Sequence, residues 1–260
     1  MTHLPEVDTA RLAPFGFVGF MSVLAVLALL NEHADAGQKG SPVTVHSQAQ
    51  AQNSGAKARN PAAPSMASYH FDQRASLLYV TIGQDPSALF SAMGHDHVVR
   101  ASQWQGSMEL RGNAEQACAF AIEVSVADLV ADEPAMRERL GFDKPLTPTQ
   151  RESIDRSMRA ADQLDAARHP TITARSISCT RAVGAANLLD VVVEVSLRGR
   201  TQELPLMIVI ESDQGRLLAM GEFTLTHADF GFEPYSAFFG AVRNAQEITF
   251  HFNLVGQMQP

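Results

Sequence analysis

Leu188-Leu189-Asp190-Val191-Val192-Val193-Glu194-Val195-Ser196-Leu197 alternates apolar with polar side chains along most of its length, broken only at Val192. A period of two puts one face of a strand in an apolar interior and the other in water. Glu247-Ile248-Thr249-Phe250-His251-Phe252-Asn253-Leu254 repeats the pattern near the C-terminus. About six runs of this kind lie between Thr171 and Leu254, separated by turn residues. They predict an all-β fold, a closed antiparallel barrel around an apolar cavity. That is the architecture of a carrier more than of a catalyst.

Upstream, residues 69–72 and 76–82 read as opening strands, with Leu78, Val80 and Ile82 on one face. Residues 84–93 form a loop or short helix. A strand region covers residues 97–110, with Gly106 marking a bend or bulge. Gly112-Asn113 is a turn, and residues 118–126 alternate with Phe120, Ile122 and Val124 inward. The period then changes. Residues 134–140 form one or two helical turns, and Thr147-Pro148-Thr149-Gln150 has the Ser/Thr cap and early Pro of a helix start. Ile154, Met158, Ala161 and Leu164 carry a helical stripe to about Ala167, where His169-Pro170 stops it. Strands resume at residues 171–179, 188–197, 202–211, 217–226 and 247–255. Arg198-Gly199-Arg200-Thr201 is tight enough for a hairpin.

The fold does not account for all 260 residues. Arg11, an uncharged apolar run over residues 15–30 and the small-x-small site Ala34-Asp35-Ala36 are ordered as in an export signal. The run is shorter than the roughly 20 residues that cross a bilayer comfortably, so a cleaved signal is favoured over an N-terminal anchor. Residues 37–67 are rich in Gln, Ala, Ser, Gly, Pro and Asn and bury too little surface to order themselves. The expected organisation is a signal or anchor over residues 1–36, a disordered linker over 37–67 and one domain over 68–260. Export places the mature chain in the periplasm or outside the cell, or on the membrane if the apolar run is retained.

A net charge of −8 and a single Trp leave no basic, stacking surface for nucleic acid. The two cysteines of an exported chain invite pairing. Cys118, however, shares the inward phase of Phe120, whereas Cys179 is out of phase with Ile172 and Ala174. On regular strands the thiols face opposite sides, so two free thiols are expected.

Gly94-His95-Asp96-His97 is the most pointed polar motif. His95 and His97 project to one side of an extended backbone, a spacing that suits a head group or, with His227 added, a metal. Asp229-Phe230-Gly231 has the letters of a kinase magnesium triplet without its companions, and reads as a strand end with Phe230 plugging the barrel. Asp165 and Arg168 are spaced for an i, i+3 pair or a turn cap. Asp132-Glu133 lies in a polar connection and is expected to face solvent.

Three segments resemble the YceI-like family of exported polyisoprenoid-binding proteins. They are Leu164-Asp165-Ala166-Ala167-Arg168-His169-Pro170-Thr171-Ile172-Thr173-Ala174, then Leu197-Arg198-Gly199-Arg200-Thr201-Gln202-Glu203-Leu204-Pro205-Leu206, then Thr226-His227-Ala228-Asp229-Phe230-Gly231-Phe232. The resemblance covers roughly residues 69–256. His227 stands where the family usually has a basic residue, Ala174 where it often has Phe, and residues 134–163 are longer than the usual connection. The resemblance implies an extended, lipocalin-like eight-stranded antiparallel barrel with a helical insertion, binding a long amphiphile inside and using no catalytic residue or cofactor.

In that reading Leu78, Val80, Ile82, Phe120, Ile122, Val124, Val193, Val195, Phe223, Phe250 and Phe252 line the bore. Phe90, Met93, His95, His97 and His227 meet the guest near the mouth. The expected partners are an isoprenoid or quinone-type lipid, a membrane through residues 15–30 and a second copy of the chain as a homodimer. The competing readings are a metal-binding or enzymatic barrel using His95, His97 and His227, and a filled barrel whose outer surface does the work.

Overall fold

The computed structural model describes residues 66–112 and 117–260. The expected signal, nearly all of the linker and Asn113 of the expected turn lie outside the described residues. β1 (Met66–Phe71) and β2 (Leu77–Ile82) follow one another along the same edge of the last strand, β13 (Glu247–Met258). Tyr69 stands opposite Met258, and Leu78 opposite Phe252. β3 (His97–Ala101) continues from β2, and β4 (Gln105–Arg111) pairs with β1. β5 (Cys118–Ser125), β7 (Thr171–Arg181), β8 (Leu188–Leu197), β9 (Arg200–Asp213) and β10 (Arg216–Thr226) complete the circuit.

The ring runs β1-β4-β5-β7-β8-β9-β10-β13 and closes through β1 on β13, all antiparallel. This is the closed antiparallel barrel that the alternation predicts, with the eight strands that the resemblance implies. β2, β3 and β6 (Leu129–Ala131) extend from β13 as a flap of the same sheet. The expected single strand region over residues 97–110 is therefore two strands, divided between flap and ring.

Closure removes the free edges of the ring, but β6 ends the flap. Two helices of the insertion meet it. α1 (Pro134–Arg139) lies against β3, and α2 (Pro148–Arg159) against β6. The Arg159 guanidinium in the last turn of α2 donates to the Leu129 carbonyl at 2.6 Å and the Ala127 carbonyl at 3.3 Å. α2 begins on a capping box: the Thr147 hydroxyl accepts from Gln150 N–H and the Gln150 side chain accepts from Thr147 N–H. It stops at Arg159, short of Ala167, because Ala160 turns extended and the Leu164 and Asp165 amides bond back to Met158 and Ala160.

Side chains follow the alternation. Leu189, Val191, Val193, Val195 and Leu197 are buried while Asp190 is exposed. The β8–β9 hairpin turns on Arg198 and Gly199, both with positive φ, as a two-residue turn that matches strand twist requires. Gly106 makes no bulge: it sits in the regular β4–β5 ladder, where an added Cβ would press on the Phe71 ring, Ile122 and the Ala121 carbonyl. It marks a close approach.

The expectation of free thiols is corrected. Cys118 and Cys179 form a disulfide across β5 and β7, with Cα atoms 5.3 Å apart. The reason is a bulge. Ser176 pairs with Val193 and Ser178 with Val192, so Ile177 is an extra residue that reverses the alternation. Ile172, Ala174 and Ser176 keep one phase, and beyond the bulge Cys179 rejoins it opposite Val191.

Candidate functional site

The ring and flap enclose a cavity of about 670 Å³. Its wall is built from the inward phase of nearly every strand: Leu78, Val80 and Ile82 from β2, Phe120, Ile122 and Val124 from β5, Val193 and Val195 from β8, Phe223 from β10, and Phe250 and Phe252 from β13. Phe223 and Phe250 are directly opposed in register and stack at 4.7 Å, nearly parallel. α2 adds Ile154 and Met158. The sequence carries the helical stripe but does not say what the stripe faces. A helix whose apolar stripe finds no second helix must face something else apolar.

Register puts His97, Ile82, Thr226 and Glu247 towards one end of the barrel and the disulfide at the other. At the first end the wall includes Met93, His95, His97, His227, Tyr235 and Phe238. Phe90 is not in the wall. It is half-exposed on the outside of the 84–93 loop, its amide bonded to the Ala241 carbonyl at 2.7 Å. That loop is pinned to the small hairpin of β11 (Ser236–Ala237) and β12 (Val242–Arg243), which the sequence did not announce. Arg243 grips Asp85 at 2.5 Å, and Ser87 and Arg243 together hold the Asp85 carboxyl down to about 2.

The polar centre of this end is a residue expected on the surface. Asp132 is fully buried. Its Oδ2 receives His97 Nδ1 at 2.7 Å, and its Oδ1 receives Arg137 Nη1 at 2.7 Å and Val98 N–H at 3.2 Å. Burial alone would raise this carboxyl, but the His97 and Arg137 bonds outweigh it and hold it below the ordinary 3.8. Glu133, its neighbour, takes Arg100 in two bonds of 2.5 and 2.8 Å and stays half-exposed. The backbone explains the split: Asp132 adopts φ 53°, which turns its side chain inwards just before α1 begins. α1 then delivers Arg137 to it.

His95 stands edge-on to His97, ring centres 5.6 Å apart. Burial, then the neighbouring His97 and Arg137, keep its imidazole below the usual value. His227 is 2% exposed, with Nδ1 2.8 Å from the Gln246 carbonyl and its ring edge-on to Phe232. Burial depresses it too, against the opposing pull of that carbonyl. Among the described residues no three His, Cys, Asp or Glu side chains come together as metal ligands, so His95, His97 and His227 do not form the centre that the metal reading required.

The three segments of the family resemblance meet at one corner. Arg198 donates to the Gly231 carbonyl and the Ala161 carbonyl, each at 2.9 Å, and its guanidinium lies over the Phe232 ring. Asp165 pairs with Arg168 at 2.5 Å. Asp229 caps its own turn, accepting from Thr226 N–H and hydroxyl at 2.7 Å each, while Phe230 is wholly buried. Gly231 at φ 72° ends that turn where an added Cβ would strike Arg200. Arg198, Asp165, Asp229 and Phe230 tie turns together outside the cavity wall, whereas Ala174, His227 and Phe232 of the same segments are part of it.

A family model described as the YceI-like domain matches residues 69–255. The chain belongs to the YceI-like family. Solved structures carry similar folds. BcnA of Burkholderia cenocepacia matches at 13% identity and a TM-score of 0.52, over 71% of this chain and 98% of that one. A polyisoprenoid binding domain from Saccharophagus degradans, implicated in plant cell wall breakdown, matches at 12% identity and 0.49, over 74% and 98%. The Campylobacter jejuni YceI protein matches at 9% identity and 0.46, over 62% and 84%. No curated protein matches by sequence. Within this fold, the segment between β6 and β7 supplies α1, α2 and the Arg137 partner of Asp132. Among the described residues no helix is long and apolar enough to cross a membrane.

Proposed function

We propose that this chain is an exported carrier that holds a polyisoprenoid or a similar amphiphile, such as a quinone-type lipid, in its barrel for storage or transport, with no bond made or broken. The observation that carries this reading is the apolar cavity of about 670 Å³ bounded by aliphatic and aromatic side chains from every part of the ring. A slender apolar chain gains roughly 25 cal/mol for each Å² it withdraws from water into such a bore. Polar side chains gather at one end, where a head group belongs. The Saccharophagus relative is described as binding polyisoprenoid, which supports the same guest here. The Cys118–Cys179 disulfide suits an oxidising compartment and so supports export.

The test is mass spectrometry of organic extracts from protein purified without detergent. A stoichiometric isoprenoid or other amphiphile is expected, displaced when the bore is blocked. Recovery of no lipid, together with no uptake of added prenols, overturns the reading. The mass of the mature N-terminus tests export, with cleavage after Ala36 as the expected result.

A further inference from the structure

The head-group end of the bore has a definite hydrogen-bonding polarity. The Asp132 carboxylate is fully buried, and an ionised carboxylate has no proton to donate. In its 2.7 Å bond with His97, the proton therefore sits on Nδ1 of the histidine. In its neutral form the imidazole has one N–H only, and Nε2 then carries a lone pair. His97 lies in the cavity wall, and Nε2 is the ring nitrogen left to a guest.

The charges around it are directed elsewhere. Arg137 is itself buried and gives its protons to Asp132, to the Asp96 carbonyl at 2.7 Å and to the Lys144 carbonyl at 2.8 Å, with its guanidinium over the Phe142 ring. The Lys144 ammonium donates to the Ala92 and Gly94 carbonyls at 3.0 and 2.7 Å. Both cations staple backbone rather than point into the bore. An anionic head group gains little here, and a carbonyl or ether oxygen meets a lone pair with a lone pair.

We propose that His97, oriented by Asp132, accepts a hydrogen bond from an O–H on the guest, so that the barrel selects an amphiphile ending in a hydroxyl, such as a prenyl alcohol, over its ether, ester or aldehyde. This rests on the reading of the cavity as a lipid site and narrows it to one head-group chemistry. Asp132 is a positioning residue: it touches no guest and acts by fixing which nitrogen of His97 carries the proton.

The experiment compares equilibrium binding of farnesol and farnesyl methyl ether to the full chain by calorimetry. Wild type favours farnesol by about tenfold, the loss expected for one unmade hydrogen bond at a buried acceptor. His97→Phe binds the two alike. Asp132→Asn abolishes the preference: the amide oxygen still receives Arg137 and Val98, and its NH₂ donates to Nδ1, moving the ring proton to Nε2, whose N–H an alcohol and an ether oxygen accept alike. A purely structural role would weaken both ligands and leave their ratio unchanged.

Nitrogen chemical shifts of His97 in wild type report the tautomer directly, and they decide the matter together with His97→Phe if Asp132→Asn does not fold. An Nδ1–H tautomer is expected, and an Nε2–H tautomer or a doubly protonated ring overturns the proposal. Equal affinity for alcohol and ether in wild type overturns it while leaving the lipid reading standing. Binding of neither ligand overturns both.

Discussion

Cys118 on β5 and Cys179 on β7 face each other across neighbouring strands because the extra residue Ile177 shifts the phase of β7 between them. The bridge closes a sequence separation of 61 residues that includes β6, both helices and most of β7. Constraining a loop of that size stabilises by about 2–4 kcal/mol. The Cys118→Ala, Cys179→Ala pair is expected to lower the urea midpoint accordingly, and deletion of Ile177 to abolish the bridge, read by thiol titration of the unfolded chain.

Asp132 and Glu133 are adjacent acids with unequal consequences. Asp132→Ala leaves the buried Arg137 guanidinium without its charge partner, which costs about 3–5 kcal/mol. Glu133→Ala removes a half-exposed pair with Arg100 and costs about 1 kcal/mol or less. Chemical denaturation with an unchanged slope checks both.

Acid should weaken the fold in two steps. His227 and His95 are depressed below 6.5, so the unfolded chain takes protons first and stability declines as pH falls from about 6.5 through the lower folded values. Asp132 is depressed below 3.8, so its contribution is present above the ordinary carboxylate value and is lost as pH falls through its folded value. His227→Phe flattens the first step while costing about 1 kcal/mol at pH 8 for the lost side-chain hydrogen bond to the Gln246 carbonyl. Urea midpoints measured from pH 8 to pH 3 test the assignment, and an unaltered first step in His227→Phe would refute it.

Ala174 lies in the cavity wall, opposite Val195 on one side and Ile122 on the other. Ala174→Phe fills part of the bore from the sheet itself. The expected result is less captured lipid and, for the guest-free protein, a gain of about 1 kcal/mol, or roughly 2–4 °C in Tm. Extracted lipid per mole and a thermal scan of the stripped protein check it.

What the sequence shows of this fold is the part carried by local periodicity. β8 matches its alternating run residue for residue, and α2 begins on its capping box, because each is decided by neighbours a few residues away. The inward residues of β2, β5, β8, β10 and β13 were legible for the same reason. The bulge at Ile177 was not, since β-branched Ile looks like any strand residue and the phase change shows only when both partners of the ladder are known. The burial of Asp132 is hidden for a related cause. Two acids in a polar connection look solvated, and nothing local says that a positive φ turns one of them inwards. The available signal was Arg137, five residues on and in the helix that begins at Pro134: an inward guanidinium needs a buried carboxylate nearby.

The bore has a mechanical consequence. Space that the barrel's own side chains leave open makes the native molecule bulkier than its unfolded chain by part of that volume, so hydrostatic compression favours unfolding. A lipid seated in the bore removes that advantage and restores dispersion contacts along the whole lining. A guest seated there would therefore harden the molecule from within, as the last-fitted portion of its interior.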